Sequence, residues 1–300
     1  MKRLLISFSR KFTTQAHSKI LDDFSNSGYS VINVNYYGDA QNAPAAVATY
    51  EDLPKDNFSS GNRYRAYSRF NWCTKNNEAI LDPSNDYFQA RSYNSVDGDK
   101  VRKFSKISDQ FLGNSLVKTM FNKDISIARE LKPVEFDSSL EIGLHQIRYK
   151  ANCNMAAYSS PSWLHRDDEP VVFVHVFNYT SNMVGGDNVI AKIEKNSTEI
   201  TRVVRISPLQ TLLLGKSVLH AVTPMSSFDE NFAVRDILLV TFQNKKASPR
   251  FEPNNKDSVV VTKAVTSSIN NTYASFFVNT AAQVRDFAKS VDLTLLPIQI

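Results

Sequence analysis

Trp163-Leu164-His165-Arg166-Asp167-Asp168-Glu169-Pro170-Val171-Val172-Phe173-Val174-His175-Val176-Phe177 is the stretch whose reading decides the fold. A strand turns successive side chains to opposite faces, so positions i and i+2 project together. Read as a strand, 163–167 aims the His165 imidazole and the Asp167 carboxylate at one point, with Arg166 facing away. Residues 171–177 form a near-continuous apolar run, the pattern of a strand buried on both faces.

Working outward, Gly185-Gly186-Asp187 reads as a hairpin turn, after which 189–193 returns as a strand. Thr211-Leu212-Leu213-Leu214 leads through Gly215 to His220, which can bring a second imidazole to the same point. Two histidines and one carboxylate on one face of a metal, with the remaining positions open, are the ligand set of non-haem Fe(II) oxygenases. A bare His-x-Asp occurs often by chance, as a surface histidine beside a salt-bridged aspartate. The apolar strand that follows it and the distal His220 favour the metal reading. Beyond His220, Arg235 opens another apolar strand over 237–242.

The rest of the chain divides into a helical front and a strand-rich back. Residues 11–25 carry Phe12, Ala16, Ile20 and Phe24 at helical spacing, and 105–121 carry the stripe Ile107, Phe111, Leu112, Leu116, Met120. A further helical stretch, 125–131, ends before Pro133. Residues 28–100 are rich in Asn, Tyr, Ser and Asp and read as loops and short strands. From Leu140 to Phe242 strand alternates with turn, which predicts an α+β chain around a double-sheet barrel. Residues 1–243 are expected to form one domain, followed by an extension over 244–300. In that extension 245–258 is a polar linker with Pro249 and Pro253, 259–261 a strand and 277–291 a helix. Covering a barrel edge, closing a lid and making homodimer contacts are all open to it.

With 300 residues, 42% of them hydrophobic and 22% charged, the chain can bury a substantial core. A net charge of +5 is mildly basic, and Arg63-Tyr64-Arg65 is the densest basic group with aromatic interleaving. A basic rim that attracts small anions accounts for it better than a nucleic-acid surface. No stretch reaches the ~18 apolar residues of a membrane span. The apolar run at Leu4-Leu5-Ile6 is too short for a signal peptide, and Cys73 and Cys153 lack metal-ligand spacing. A cytoplasmic protein with two free thiols is expected, with a small-molecule substrate and no nucleic-acid or membrane partner.

Five segments carry a resemblance to a known family: His145-Gln146-Ile147-Arg148, His165-Arg166-Asp167, Asn182 to Gly186, His220-Ala221-Val222-Thr223-Pro224, and Arg235-Asp236-Ile237-Leu238. Together they resemble the iron(II)/2-oxoglutarate dioxygenases, in particular the bacterial branch that hydroxylates free amino acids such as isoleucine. The resemblance covers about residues 60–243. It departs at Asp168, where a small residue commonly follows the metal aspartate. It implies a double-stranded β-helix, the jelly roll shared with cupins, holding Fe(II) on His165, Asp167 and His220. It also implies 2-oxoglutarate and O2 as co-substrates, with succinate and CO2 released. Arg235 is then the candidate cation for the distal carboxylate of 2-oxoglutarate, since a planar guanidinium grips a carboxylate bidentately. Thr241, on the same strand face, can add a hydroxyl. Gln146 and Arg148 share a face of one strand and are candidates for the carboxylate of an amino-acid substrate, a solvent-facing polar side being the alternative. Two other functions compete: a non-catalytic jelly-roll binding module, and a cupin-type metalloenzyme without 2-oxoglutarate.

Overall fold

In the computed structural model, residues 15–59, 62–89, 100–159, 161, 164–194 and 197–245 are described. The linker, strand and helix expected beyond Lys245, Trp163, and the first helical turn expected from residue 11 lie outside them. In chain order the elements are α1 (Gln15–Ser27), β1 (Tyr29–Ile32), α2 (Val34–Tyr37), α3 (Ala43–Ala48), β2 (Arg63–Cys73), β3 (Glu78–Leu81), β4 (Asp86–Tyr87) and β5 (Arg102–Lys103). They continue as α4 (Asp109–Gly113), α5 (Ser115–Glu130), β6 (Leu140–Ala151), β7 (Val171–Tyr179), β8 (Met183–Val184), β9 (Asn188–Glu194) and β10 (Ser197–Val204). The last four are β11 (Thr211–Gly215), β12 (Leu219–Val222), β13 (Ser226–Ser227) and β14 (Ala233–Asn244).

The major sheet is antiparallel, in the order β1-β11-β7-β14-β6-β2-β3, and faces a minor sheet β10-β9-β12. Valines 172, 174 and 176, with Ile147, Ile237, Leu212 and Leu214, pack inward against Ile190, Val218 and Met225. The alternate residues Phe173, Phe177, Leu144, Val240 and Phe242 face outward, beneath Ile20, Phe24, Leu116, Met120 and Ile125 of α1 and α5. Two sheets closed face to face with helices on one flank make the predicted α+β jelly roll. The 189–193 strand does return after the glycines, but not as a hairpin partner of β7. Gly185 and Gly186, at φ +76° and +81°, let the chain cross to the minor sheet, where β9 pairs with β12 and β10. A Cβ on Gly185 would stand 1.8 Å from the Pro224 carbonyl oxygen.

The 105–121 stripe is split. Ser108 accepts a hydrogen bond from Phe111 N, and Asn114 from Leu116 N and Val117 N, so two capped helices replace one. The stretch 125–131 continues α5 as far as Glu130 instead of starting a new helix. Between α5 and the outer face of the sheet lies a fully buried polar network. Tyr37 donates to Asp124 Oδ1 at 2.9 Å, His175 Nε2 lies 2.7 Å from Asp124 Oδ2, and His175 Nδ1 lies 2.7 Å from Thr211 Oγ1. His175 is therefore a satisfied core residue, remote from the inner face. His17 of α1 is also buried, between Tyr36 and Glu130. Removing Asp124 leaves two buried partners unsatisfied. Asp124→Ala is expected to lower the unfolding free energy in urea by about 2–5 kcal/mol. Lys19→Ala, at an exposed i,i+4 pair, is expected to stay within ~0.5 kcal/mol.

Candidate active site

The site lies between the two sheets. Residues 163–167 were expected as a strand, but the pairing at this segment is a single antiparallel bridge between His165 and His220. The His165 N–H donates to His220 O at 3.0 Å and the His220 N–H to His165 O at 2.8 Å. In such a reciprocal pair the two side chains leave the same face, and the imidazole centroids stand 4.4 Å apart. The Asp167 carboxylate closes the group: Oδ1 is 3.4 Å from His165 Nε2 and Oδ2 is 3.3 Å from His220 Nε2. Three ligand atoms within 4.8 Å of one another form a group able to hold a metal ion. Although burial acts against the charge, His220 and His165 hold the Asp167 carboxyl well below the usual carboxylate range. An ionised carboxylate facing two imidazoles is a donor set that fits Fe(II).

Arg235 enters from β14, opposite Tyr149 of β6. It is 2% exposed, and its Nη2 has no hydrogen-bond partner among the described residues. The carboxylate beside it, Asp187, is taken by Arg205 at 2.8 and 3.1 Å. Burial pulls the Arg235 guanidinium below its ordinary range. A buried cation without a counter-ion is unfavourable until an anion arrives. Thr241 does share the Arg235 face, but pairs with Gly143 at the far end of β6, six residues along β14. At ~3.3 Å per residue this is roughly 20 Å from Arg235, so the two do not serve one carboxylate. Thr241 instead lines a small cleft with Tyr67, Tyr87, Gly143 and Glu169.

Gln146 and Arg148 face away from the triad, toward the helical layer, where the strand is also buried. Gln146 donates to Thr49 Oγ1 at 2.8 Å. Arg148 makes a two-pronged pair with Asp236 at 2.6 and 2.8 Å and reaches Glu51 at 2.6 Å. Both proposed substrate contacts are corrected by this placement, and so is the solvent-facing alternative. The other face of β6 belongs to the site and carries His145, packed on Tyr67 at 4.6 Å and Tyr87 at 4.9 Å. Burial and the charges of Arg65, Arg102 and Arg63 press the His145 pKa well down, while Asp167 acts in the opposite sense. His145 is thus neutral and lies between the triad and a group of arginines. Asp168 and Glu169 are buried, 5% and 7% exposed. Burial, then Asp167 and Asp168, push the Glu169 carboxyl up to about 8.

A jelly roll with two histidines and an aspartate converging inside it defines a non-haem iron oxygenase. Residues 47–241 match the model of the 2OG-Fe dioxygenase family, and the chain belongs to that family. It is 45% identical to L-isoleucine-4-hydroxylase of Bacillus thuringiensis over 202 residues, 67% of this chain and 82% of that protein. It is 40% identical to 3(1)-hydroxy-L-isoleucine 4-dioxygenase of Pantoea ananatis over 201 residues, 66% and 79% of the two chains. The crystal structure of IDO from Bacillus thuringiensis superposes with a TM-score of 0.67 at 36% identity, covering 76% of this chain and 99% of that one. The protein is accordingly an oxidoreductase that uses Fe(II), 2-oxoglutarate and O2. No described helix is long and apolar enough to cross a membrane.

His165→Ala, Asp167→Ala and His220→Ala are each expected to abolish Fe(II) binding in equilibrium dialysis while the far-UV dichroism is kept. Asp167→Glu displaces the carboxylate by ~1 Å and should cut turnover about 100-fold. Wild-type iron binding by Asp167→Ala would remove the ligand assignment.

Proposed function

We propose that this protein hydroxylates an unactivated C–H bond of a free amino acid, with His165, Asp167 and His220 as iron ligands and Arg235 holding the distal carboxylate of 2-oxoglutarate. The observation that carries the reading is the pairing of a convergent His/Asp/His group with a buried guanidinium that has no ion-pair partner among the described residues. With iron bound, O2 and 2-oxoglutarate supply the oxidising power, one oxygen atom entering the substrate as hydroxyl and the other entering succinate as CO2 leaves. The chain's own residues bind, orient and exclude water. Sheet packing fixes Arg235, and the triad side chains are only 11–20% exposed. The relatives named for isoleucine hydroxylation support a small aliphatic amino acid as the substrate class. We assign the catalytic unit to residues 1–243, and with Cys73 and Cys153 both free a cytoplasmic setting fits. A homodimer is compatible with the reading.

Succinate release in the presence of Fe(II), 2-oxoglutarate and each of the common amino acids tests the proposal. L-isoleucine or a close aliphatic relative should stimulate release, and the product should gain one oxygen atom in mass. Stimulation by no free amino acid would overturn it. Arg235→Ala should raise the KM for 2-oxoglutarate by roughly two to three and a half decades, the equivalent of ~3–5 kcal/mol for a buried charge left unpaired. Its KM for Fe(II) should be unchanged.

A further inference from the structure

The inner face of the barrel carries a second group of buried cations, apart from the Arg235 proposed for 2-oxoglutarate. Arg63 and Arg65 of β2 and Arg102 of β5 are 2%, 6% and 2% exposed. One carboxylate, Asp56, pairs with Arg63 at 2.7 Å. Neither Arg65 nor Arg102 has a carboxylate at ion-pair distance among the described residues, and the Nε of each lacks a hydrogen-bond partner there. Arg102 donates from Nη2 to Gln89 Oε1 at 3.3 Å, and Arg65 donates from Nη2 to His145 Nδ1. Both guanidiniums lie against Tyr87, at 5.0 and 4.7 Å from the ring centroid, and Arg65 also lies 4.3 Å from the Phe104 centroid. Burial and the Arg63 charge pull the Arg65 guanidinium down to about 10.

Two buried charges of one sign with no carboxylate at ion-pair distance among the described residues cost several kcal/mol, and aromatic faces offset only a part. An anionic ligand restores the balance. The same residues connect to the reaction centre, because Arg65 contacts His145, and His145 senses the charge of Asp167. We infer that Arg65 and Arg102 bind the α-carboxylate of the amino-acid substrate, making a free carboxylate the specificity requirement of the enzyme. This rests on the proposed amino-acid hydroxylase reading and adds the residues that select the substrate. Two forked donors held on an aromatic plate suit a planar carboxylate and leave an amide or ester with one oxygen poorly met. The planar stack also fixes the direction from which the side chain enters toward the triad, so the grip positions the reacting C–H as well as admitting the ligand. Peptide-internal residues and amino-acid amides are excluded by the same charge balance.

The test is anaerobic binding of L-isoleucine and of L-isoleucinamide to the Fe(II)/2-oxoglutarate-loaded protein, followed calorimetrically. Wild type, Arg102→Gln, Arg65→Gln and Arg102→Lys are compared, with 2-oxoglutarate affinity measured separately on each. Wild type should prefer the acid by about 10- to 100-fold, as expected for a hydrogen bond to a charged group. The preference should collapse toward unity in either glutamine variant and recover in part in Arg102→Lys, with 2-oxoglutarate affinity unchanged in all. That loss of coupling is something a purely structural arginine does not produce. Equal binding of acid and amide by wild type, or an undiminished preference in both glutamine variants, would overturn the inference and leave the hydroxylase reading standing. So would a loss of 2-oxoglutarate affinity in place of acid selectivity. Failure of L-isoleucine and of every other free amino acid to bind wild type would overturn both.

Discussion

The two hydrogen bonds exchanged between His165 and His220 are the constraint on which the site depends. They tie an irregular loop to an edge of the minor sheet and send both imidazoles out of one face. Without that bridge the loop from residue 164 to 170 has no sheet partner, and Asp167 has nothing to hold it against two ring nitrogens. The bridge in turn needs β12 fixed, which its pairing with β9 supplies, and β9 reaches the minor sheet because the two glycines at positive φ allow the crossing. A backbone feature outside the triad thus sets the spacing of the ligands. The group is preorganised, since the atoms already stand close enough to share one ion.

The major sheet performs two tasks with its two faces. Outward, apolar side chains and the Tyr37–Asp124–His175–Thr211 network fasten the helices. Inward, the β14, β6 and β2 strands carry arginines, tyrosines and a neutral histidine. The interior of this barrel consequently holds cations at two places with no ion-pair partner among the described residues, at Arg235 and at the Arg65/Arg102 pair. Stability is given up there in exchange for ligand recognition, and ligand binding should stabilise the fold by mass action. Two of the carboxylates nearby are already engaged, Asp187 by Arg205 and Asp56 by Arg63. That pairing keeps them from quenching the cations meant for ligands.

Where the sequence was legible, the pattern followed burial. The apolar run of β7 and the alternation in β14 mark strands directly, and the His-x-Asp spacing with its distal histidine marks the three side chains that converge, although a bridge and a bend, not strand alternation, bring them together. Where it was not, polarity on the inner face erased the signal. β2 is an eleven-residue strand, yet Arg-Tyr-Arg-Ala-Tyr-Ser-Arg reads as loop because its inward positions are charged or aromatic and its outward ones are mixed. Arg65 was therefore read as part of a basic rim, and Arg102 sits isolated in a two-residue strand. β6 is buried on both faces, so alternation could not say which face of Gln146 and Arg148 met the site. Only the register with β14 and β2 decides this. The helix break at Asn114 was legible in principle, because Ser108 and Asn114 are good caps, but the continuous apolar stripe concealed it.

The central claim is that the three-residue group and Arg235 together hold iron and 2-oxoglutarate. Anaerobic titration of 2-oxoglutarate into the Fe(II)-loaded protein, read by visible difference absorption, tests it most directly. A saturable charge-transfer band is predicted in wild type, lost in Asp167→Ala and needing far more 2-oxoglutarate in Arg235→Ala. An absent band in Fe(II)-loaded wild type, or the same titration curve in Arg235→Ala, would contradict the account.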